Sequence, residues 1–136
     1  MNLMIDANIL LDVLMDRQPH VRYSSLIWKL CETGKTNGYV SALSFADIIY
    51  IMRKQLDPTQ TESLLNQLTL IFRFVDLHAA DLKKAAALHW NDFEDALQAV
   101  AANRIDAQAI VTRNIKDYQS SPVPALTPEE VCRLFQ

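Results

Sequence analysis

Four short runs rich in apolar and β-branched residues punctuate the chain. Asn2 to Ile5 is apolar and stops at Asp6. Gly38 to Ser41 (Gly-Tyr-Val-Ser) follows the turn-forming stretch Gly34-Lys35-Thr36-Asn37. Ala109 to Thr112 (Ala-Ile-Val-Thr) is the third, and Phe72 to Leu77 is the fourth. Their length and flanking residues predict strands. The stretches between them read as helices. Ile9 to Met15 is short and apolar. His20 to Thr33 carries Val21, Leu26, Ile27, Leu30 and Cys31, with Gly34 as its C-terminal stop. Ser44 to Lys54 opens on a capping serine and carries Ile48, Ile49, Ile51 and Met52. Thr59 to Ile71 follows Pro58 and carries Leu64, Leu65, Leu68 and Ile71. Asp81 to Trp90 and Asp92 to Asn103 are rich in alanine and leucine. At the tail, Thr127, Pro128 and Glu130 form a capping box that opens a last short helix through Phe135. Strands alternating with helices predict an α/β domain with a mainly parallel sheet.

The 136 residues fit one domain spanning 1–136. Half are hydrophobic, enough for a core without disulfide staples. The two cysteines, Cys31 and Cys132, are far apart, which excludes a Cys-rich zinc module and suggests idle thiols in a reducing compartment. The N-terminus lacks a basic segment before a long apolar run, so a signal peptide is not expected. No segment has the length to span a bilayer. A cytoplasmic protein with no membrane association is the expectation. Only two glycines occur, so neither a Gly-rich phosphate loop nor a dinucleotide-binding fingerprint is present.

Net charge changes the picture. With 16 acids against 13 bases the chain stands at −3, the wrong sign for coating nucleic acid with a basic surface. Any attraction for RNA or DNA must come from a metal ion or a local basic patch.

The acids are unevenly placed. Ligands of open parallel sheets bind beyond the carboxyl ends of the strands. Asp6 stands there after the first strand, with Asn8 two residues on. Ser41, Ser44 and Asp47 follow the second. Arg113, Asn114 and Asp117 follow the strand ending at Thr112, and Asp92, Glu94 and Asp95 open the helix before it. Two carboxylates ~4 Å apart repel by about 4 kcal/mol at an effective dielectric near 20. Several together need a cation or a proton. Oxygen ligands with few histidines suit Mg²⁺ or Mn²⁺ rather than Zn²⁺. Such an ion performs phosphodiester hydrolysis by activating water and steadying the leaving oxygen.

Each residue also has a structural role open to it. Asn8 can cap a helix, Asp47 stands three after Ser44 as in a capping box, and Asp92, Glu94 and Asp95 suit a helix dipole. Asp6 is different, because a charge between Met4-Ile5 and Ile9-Leu10-Leu11 is costly without a partner.

Four segments resemble the motifs of PIN-domain ribonucleases. Ile5-Asp6-Ala7-Asn8-Ile9-Leu10-Leu11-Asp12 is similar to that family's opening motif. Ser41-Ala42-Leu43-Ser44-Phe45-Ala46-Asp47 resembles the segment of its second acid. Asp92-Phe93-Glu94-Asp95-Ala96-Leu97-Gln98 resembles the helix of its third. Ile110-Val111-Thr112-Arg113-Asn114-Ile115-Lys116-Asp117-Tyr118 resembles its closing motif. The four occur in order over nearly the whole chain, and the toxins of VapBC-type toxin–antitoxin pairs share the family and the size. The resemblance implies a three-layer α/β/α fold and a metal-dependent endoribonuclease. It implies that Asp6, Asp47 and Asp95 hold or orient Mg²⁺ or Mn²⁺, supported by Asn8, Thr112 and Ser44. It also implies an RNA substrate, an antitoxin partner and a homodimer. Two positions depart from the family pattern. Asp47 is a carbon shorter than the more usual Glu, and the fourth acid falls on neutral Asn114. Asp92, one turn from Asp95 on the same face, and Asp117 are candidates to replace the missing charge. Arg113, Lys116 and Arg17 flank the site and are candidate contacts to the RNA backbone.

Two rival classes remain. A receiver-type signalling domain also gathers acids at strand ends, but would want paired acids after the first strand and a phosphoacceptor Asp ending a mid-chain strand. A PIN fold silenced by Asn114 would bind partners or RNA without cutting.

Overall fold

A computed structural model of the chain describes all 136 residues. In chain order the elements are β1 (Asn2–Ile5), α1 (Ala7–Leu14), α2 (Val21–Glu32), β2 (Asn37–Ser41), α3 (Ala42–Ile51), α4 (Pro58–Ile71), β3 (Arg73–Val75), α5 (Ala79–Leu88), α6 (Phe93–Arg104), β4 (Ala109–Val111), a short 3-10 helix (Ile115–Tyr118), β5 (Ala125–Leu126) and α7 (Pro128–Leu134). The five strands form one sheet in the order β3-β2-β1-β4-β5, and every pairing is parallel. The α/β reading holds, with the sheet parallel throughout. No helix is long and apolar enough to cross a membrane.

The pleat sorts the central strand between two cores. Leu3 and Ile5 face one side, packed with Ile9 and Leu10 of α1, Ile27 of α2, Ile48 of α3, Leu68 of α4 and Val131 of α7. Met4 and Ile110 face the other, against Ala99, Ala101 and Ala102 of α6. Helices therefore cover both faces, the three-layer arrangement, and β1 is buried on both sides, as a central parallel strand must be.

Element boundaries shift where the capping chemistry differs from the expected one. Ser41, not Ser44, caps α3: its hydroxyl accepts from the Leu43 N–H at 3.2 Å. The helix consequently begins at Ala42, and Asp47 lies beyond its first turn. Helix α1 starts at Ala7 with Asp6 as its N-cap residue, not at Ile9. Asp57 and Gln60 form a capping box that starts α4 at Pro58. Asp81, expected to open α5, is its third residue and accepts from the His78 N–H at 3.0 Å. Asp92 caps α6 through the Asp95 N–H at 3.0 Å. The Thr127–Glu130 box opens α7 as its spacing predicts. The two-residue β5 is unexpected, since nothing in Ala125-Leu126 carries a strand signal.

Gly38 marks a close approach. It sits opposite Leu3 on β2, where α2 and Phe72 press on the sheet. A Cβ there would lie 2.6 Å from the Cys31 Sγ and 2.8 Å from the Phe72 ring. Overpacking of this kind typically costs about 1–3 kcal/mol. Gly38→Ala is expected to lower unfolding stability by that amount in a urea titration; an unchanged midpoint would mean that Cys31 and Phe72 yield freely.

Candidate active site

The carboxyl ends of β1 and β4 open into a cavity of about 340 Å³. Four segments line it. The start of α1 brings Asp6 and Asn8. Helix α3 brings Asp47, with Tyr50 and Ile51. The start of α6 brings Asp92, Glu94 and Asp95, and the turn after β4 brings Asn114, Asp117 and Tyr118. Residues more than a hundred positions apart in sequence thus meet, because β1 and β4 are hydrogen-bonded neighbours. A smaller recess adjoining it is lined by Asp6, Ser41, Ser44, Asp47, Glu94, Asp95 and Gln98.

Hydrogen bonds fix two of the acids. The Thr112 hydroxyl donates to Asp6 Oδ2 at 2.7 Å, and accepts from the Asn114 N–H at 3.1 Å. Asp6 is also held across the sheet, its N–H donating to the Val111 carbonyl at 3.0 Å. The Tyr118 hydroxyl donates to Asp95 Oδ1 at 3.1 Å. Behind it, the buried Gln98 amide donates to the Tyr118 oxygen at 3.0 Å and accepts from the Ser44 hydroxyl at 3.3 Å. A polar chain through Ser44, Gln98, Tyr118 and Asp95 therefore joins α3, α6 and the 3-10 helix beneath the cavity floor.

The cavity is short of positive charge. Burial and the neighbouring Asp92 charge push Asp95 up to about 6, against the opposing Tyr118 bond. Burial raises Glu94, helped by Asp47, Asp92 and Asp95. Burial also raises Asp6, although bonds from Thr112, Gln98 and two backbone N–H groups pull the other way. Burial and the charges of Asp6 and Asp95 raise the Tyr118 hydroxyl, so it remains a donor. The donors are oxygens throughout, the set that suits a hard divalent cation. No three of the carboxylates converge as a ready-made ligand group.

The expected cations lie elsewhere. Arg113 donates from Nε and Nη2 to the two oxygens of Asp12 at 2.9 and 3.2 Å. Arg17 stands 4.0 Å from the same carboxylate. Asp12 is fully buried, and the Ser24 hydroxyl also donates to it at 3.0 Å. Both arginines, expected at the RNA backbone, are thus turned toward a core charge that needs them. Lys116 lines a neighbouring cleft with Asp92, Asp95 and Asp117.

Four residues at or beside the site were not among the expected ones. Asp12 carries the same signal as Asp6, a charge inside an apolar helical stretch. Gln98 stands three after Asp95 on one helix face, a spacing that makes neighbours. Glu94 is grouped in sequence with the acids near the strand ends but given no role in the site, and Tyr118 reads only as an aromatic after Asp117.

A family model for the PIN domain matches residues 2–116. The chain belongs to the PIN-domain family. That membership decides against the receiver-type alternative. Among solved structures, this PIN domain is similar to VapBC-1 of nontypeable Haemophilus influenzae. The TM-score there is 0.70 at 16% identity, covering 95% of this chain and 99% of that one. It is similar to VapBC2 of Rickettsia felis, bound to a DNA fragment from its promoter, with TM-score 0.65, 20% identity, and 93% and 98% covered. It is also similar to VapC20 of Mycobacterium tuberculosis, a toxin that cleaves the sarcin–ricin loop, with TM-score 0.62, 9% identity, and 79% and 86% covered. No curated protein sequence matches the chain.

The raised carboxylates give a pH signature. Asp95 binds its proton more tightly folded than unfolded, so between its ordinary value of 3.8 and about 6 the folded state holds more protons. Stability must then fall as pH rises through that window. In a metal-free buffer, the melting temperature of the wild type relative to Asp95→Asn is expected to drop from pH 4 to pH 7. Parallel curves for the two proteins would contradict it.

Proposed function

We propose that this PIN domain is a metal-dependent endoribonuclease and the toxin of a toxin–antitoxin pair. The observation that carries the reading is a single cavity lined by six carboxylates from four segments of the chain, several of them raised by burial and some also by their acidic neighbours. PIN domains are in general divalent-metal-dependent nucleases, which supports it.

Asp6, Asp95 and Asp47 would hold Mg²⁺ or Mn²⁺, with Asp92 and Asp117 beside them. The bound ion would activate a water and steady the leaving oxygen. The chain's own part is positioning. Thr112 holds Asp6 and Tyr118 holds Asp95 through side-chain hydrogen bonds, which keep both carboxylates in place at the cavity. Asn114 offers an amide oxygen where the family pattern has an acid, and Glu94 adds a carboxylate from the same wall. Asn8 lines the cavity beside Asp6, and Ser44 acts from behind through Gln98. Lys116 is the cation best placed for a phosphate, and Arg113 and Arg17 contribute only as far as Asp12 leaves them free.

Partners follow from the same reading. The similar structures from Haemophilus influenzae, Rickettsia felis and Klebsiella pneumoniae are toxin–antitoxin assemblies. Tyr50 and Ile51 are 57% and 45% exposed on the lip of the cavity, a lip that an antitoxin segment would cover. The protein would act in the cytoplasm as a homodimer. Light scattering at micromolar concentration is expected to give twice 15.5 kDa; a mass near 15.5 kDa would remove the dimer.

A second reading, a silent binding module, is favoured by Asn114 alone. One assay separates the two. Purified protein with a mixed RNA pool is expected to cleave with Mn²⁺ or Mg²⁺ and to stop with EDTA. Asp6→Asn is expected to abolish cleavage while keeping the fold. Inactivity over a wide metal range would favour the binding module, and activity gained by Asn114→Asp would locate the cause.

A further inference from the structure

The wall formed by Asp92, Asp95 and Asp117 has a second side. Beyond it lies another cleft of about 350 Å³, sharing those three acids with the first. That size falls in the range of roughly 300–1,000 Å³ that small-molecule pockets occupy. The rest of its lining is not acidic. Trp90 is its one hydrophobic residue, and Asn91, Gln119 and Lys116 stand around it. The indole is set edge-on against Tyr118, ring centroids 6.0 Å apart at 82°. Tyr118 in turn is anchored to Asp95 and Gln98, so the indole is held against the same network that orients the acid. Asn91, Gln119 and Lys116 are exposed, and Lys116 makes no salt bridge.

These groups match one kind of ligand. A fixed aromatic ring stacks on the π-face of an unpaired base. Primary amides offer a donor and an acceptor together, as base edges require. A free lysine beside them suits a phosphate. We infer that this cleft is a nucleotide subsite, seating one base of a single-stranded RNA beside the phosphodiester presented to the acids. The inference rests on the nuclease reading and narrows it. The substrate is unpaired at the cut, and base preference is set by Trp90, Asn91 and Gln119. A paired and stacked base has neither its face nor its edges free for such a cleft.

The chain's two tryptophans, Trp28 and Trp90, make the test direct. The Trp28 Nε1 has no hydrogen-bond partner, so Trp28→Phe breaks no bond and leaves Trp90 as the only fluorescent indole. This variant, in Mg²⁺, is titrated with AMP, GMP, CMP, UMP and ribose 5-phosphate. At least one nucleotide is expected to quench Trp90 saturably while ribose 5-phosphate does not. Equal quenching by ribose 5-phosphate, or no quenching at all, overturns the subsite. In RNA cleavage, Trp90→Leu is expected to raise KM about tenfold, the size of a lost base stack. Asn91→Ala and Gln119→Ala, both on the exposed rim, test the same point where Trp90→Leu does not fold, and should alter which base flanks the cut. A loss in kcat at unchanged KM, or unchanged kinetics in the rim variants, counts against it. The quench needs no cleavage. Cleavage without quench removes the subsite and keeps the nuclease, whereas quench without cleavage keeps a base site and removes the nuclease.

Discussion

A carboxylate sealed in the core governs how the cavity is assembled. Asp12 sits on α1 with no exposure to solvent, and it cannot stay there charged without partners. Ser24 reaches it from α2, Arg113 from the segment after β4, and Arg17 from the turn between α1 and α2. Removing one partner of a buried pair generally costs about 3–5 kcal/mol, since the remaining charge is left uncompensated. The Arg113 contact matters most, because Arg113 lies between Thr112, which holds Asp6, and Asn114, which lines the cavity. The demand of a core charge therefore fixes the turn that lines the acidic cavity. The same demand explains why two arginines near an acidic cavity do not neutralise it.

The cavity itself works against the fold. Its acids raise one another, and the anchoring bonds from Thr112 and Tyr118 only partly offset burial. A cation-free cavity is thus stressed in a way that a divalent ion would relieve, and the chain keeps its arginines away from the cavity's oxygens. Preorganisation comes from the neutral groups. Threonine, tyrosine, glutamine and serine hold the acids in place without quenching their charge.

Much of this is legible in the order of the residues alone. Strand identity and the parallel α/β layout follow from apolar runs alternating with helical stretches. Asp6 stands out because it interrupts an apolar segment, and Asp47, Asp95 and Asp117 because they follow strands or open helices. Two things stay hidden. Helix starts depend on which of two nearby serines caps, and Ser41 and Ser44 look alike in sequence; Ser41 is the one with the extended backbone of a cap residue. Long-range pairing is the other. Arg113 reads as a contact to the RNA backbone because nothing local reveals that Asp12, a hundred residues earlier, is its partner. Glu94 and Tyr118 likewise gain their roles from neighbours on other elements.

Helix α6 lies against the sheet through small side chains: Ala99 and Ala102 have no exposure, and with Ala101 they pack on Met4 and Ile110. The helix that carries Asp95 is therefore set at a height above β1 that methyl groups define. The gap between Asp95 and Asp6 is gauged from behind, by shims rather than by the acids themselves. A bulkier residue slipped under α6 would tilt the helix like a wedge, and the mouth of the cavity would widen without a single carboxylate being altered.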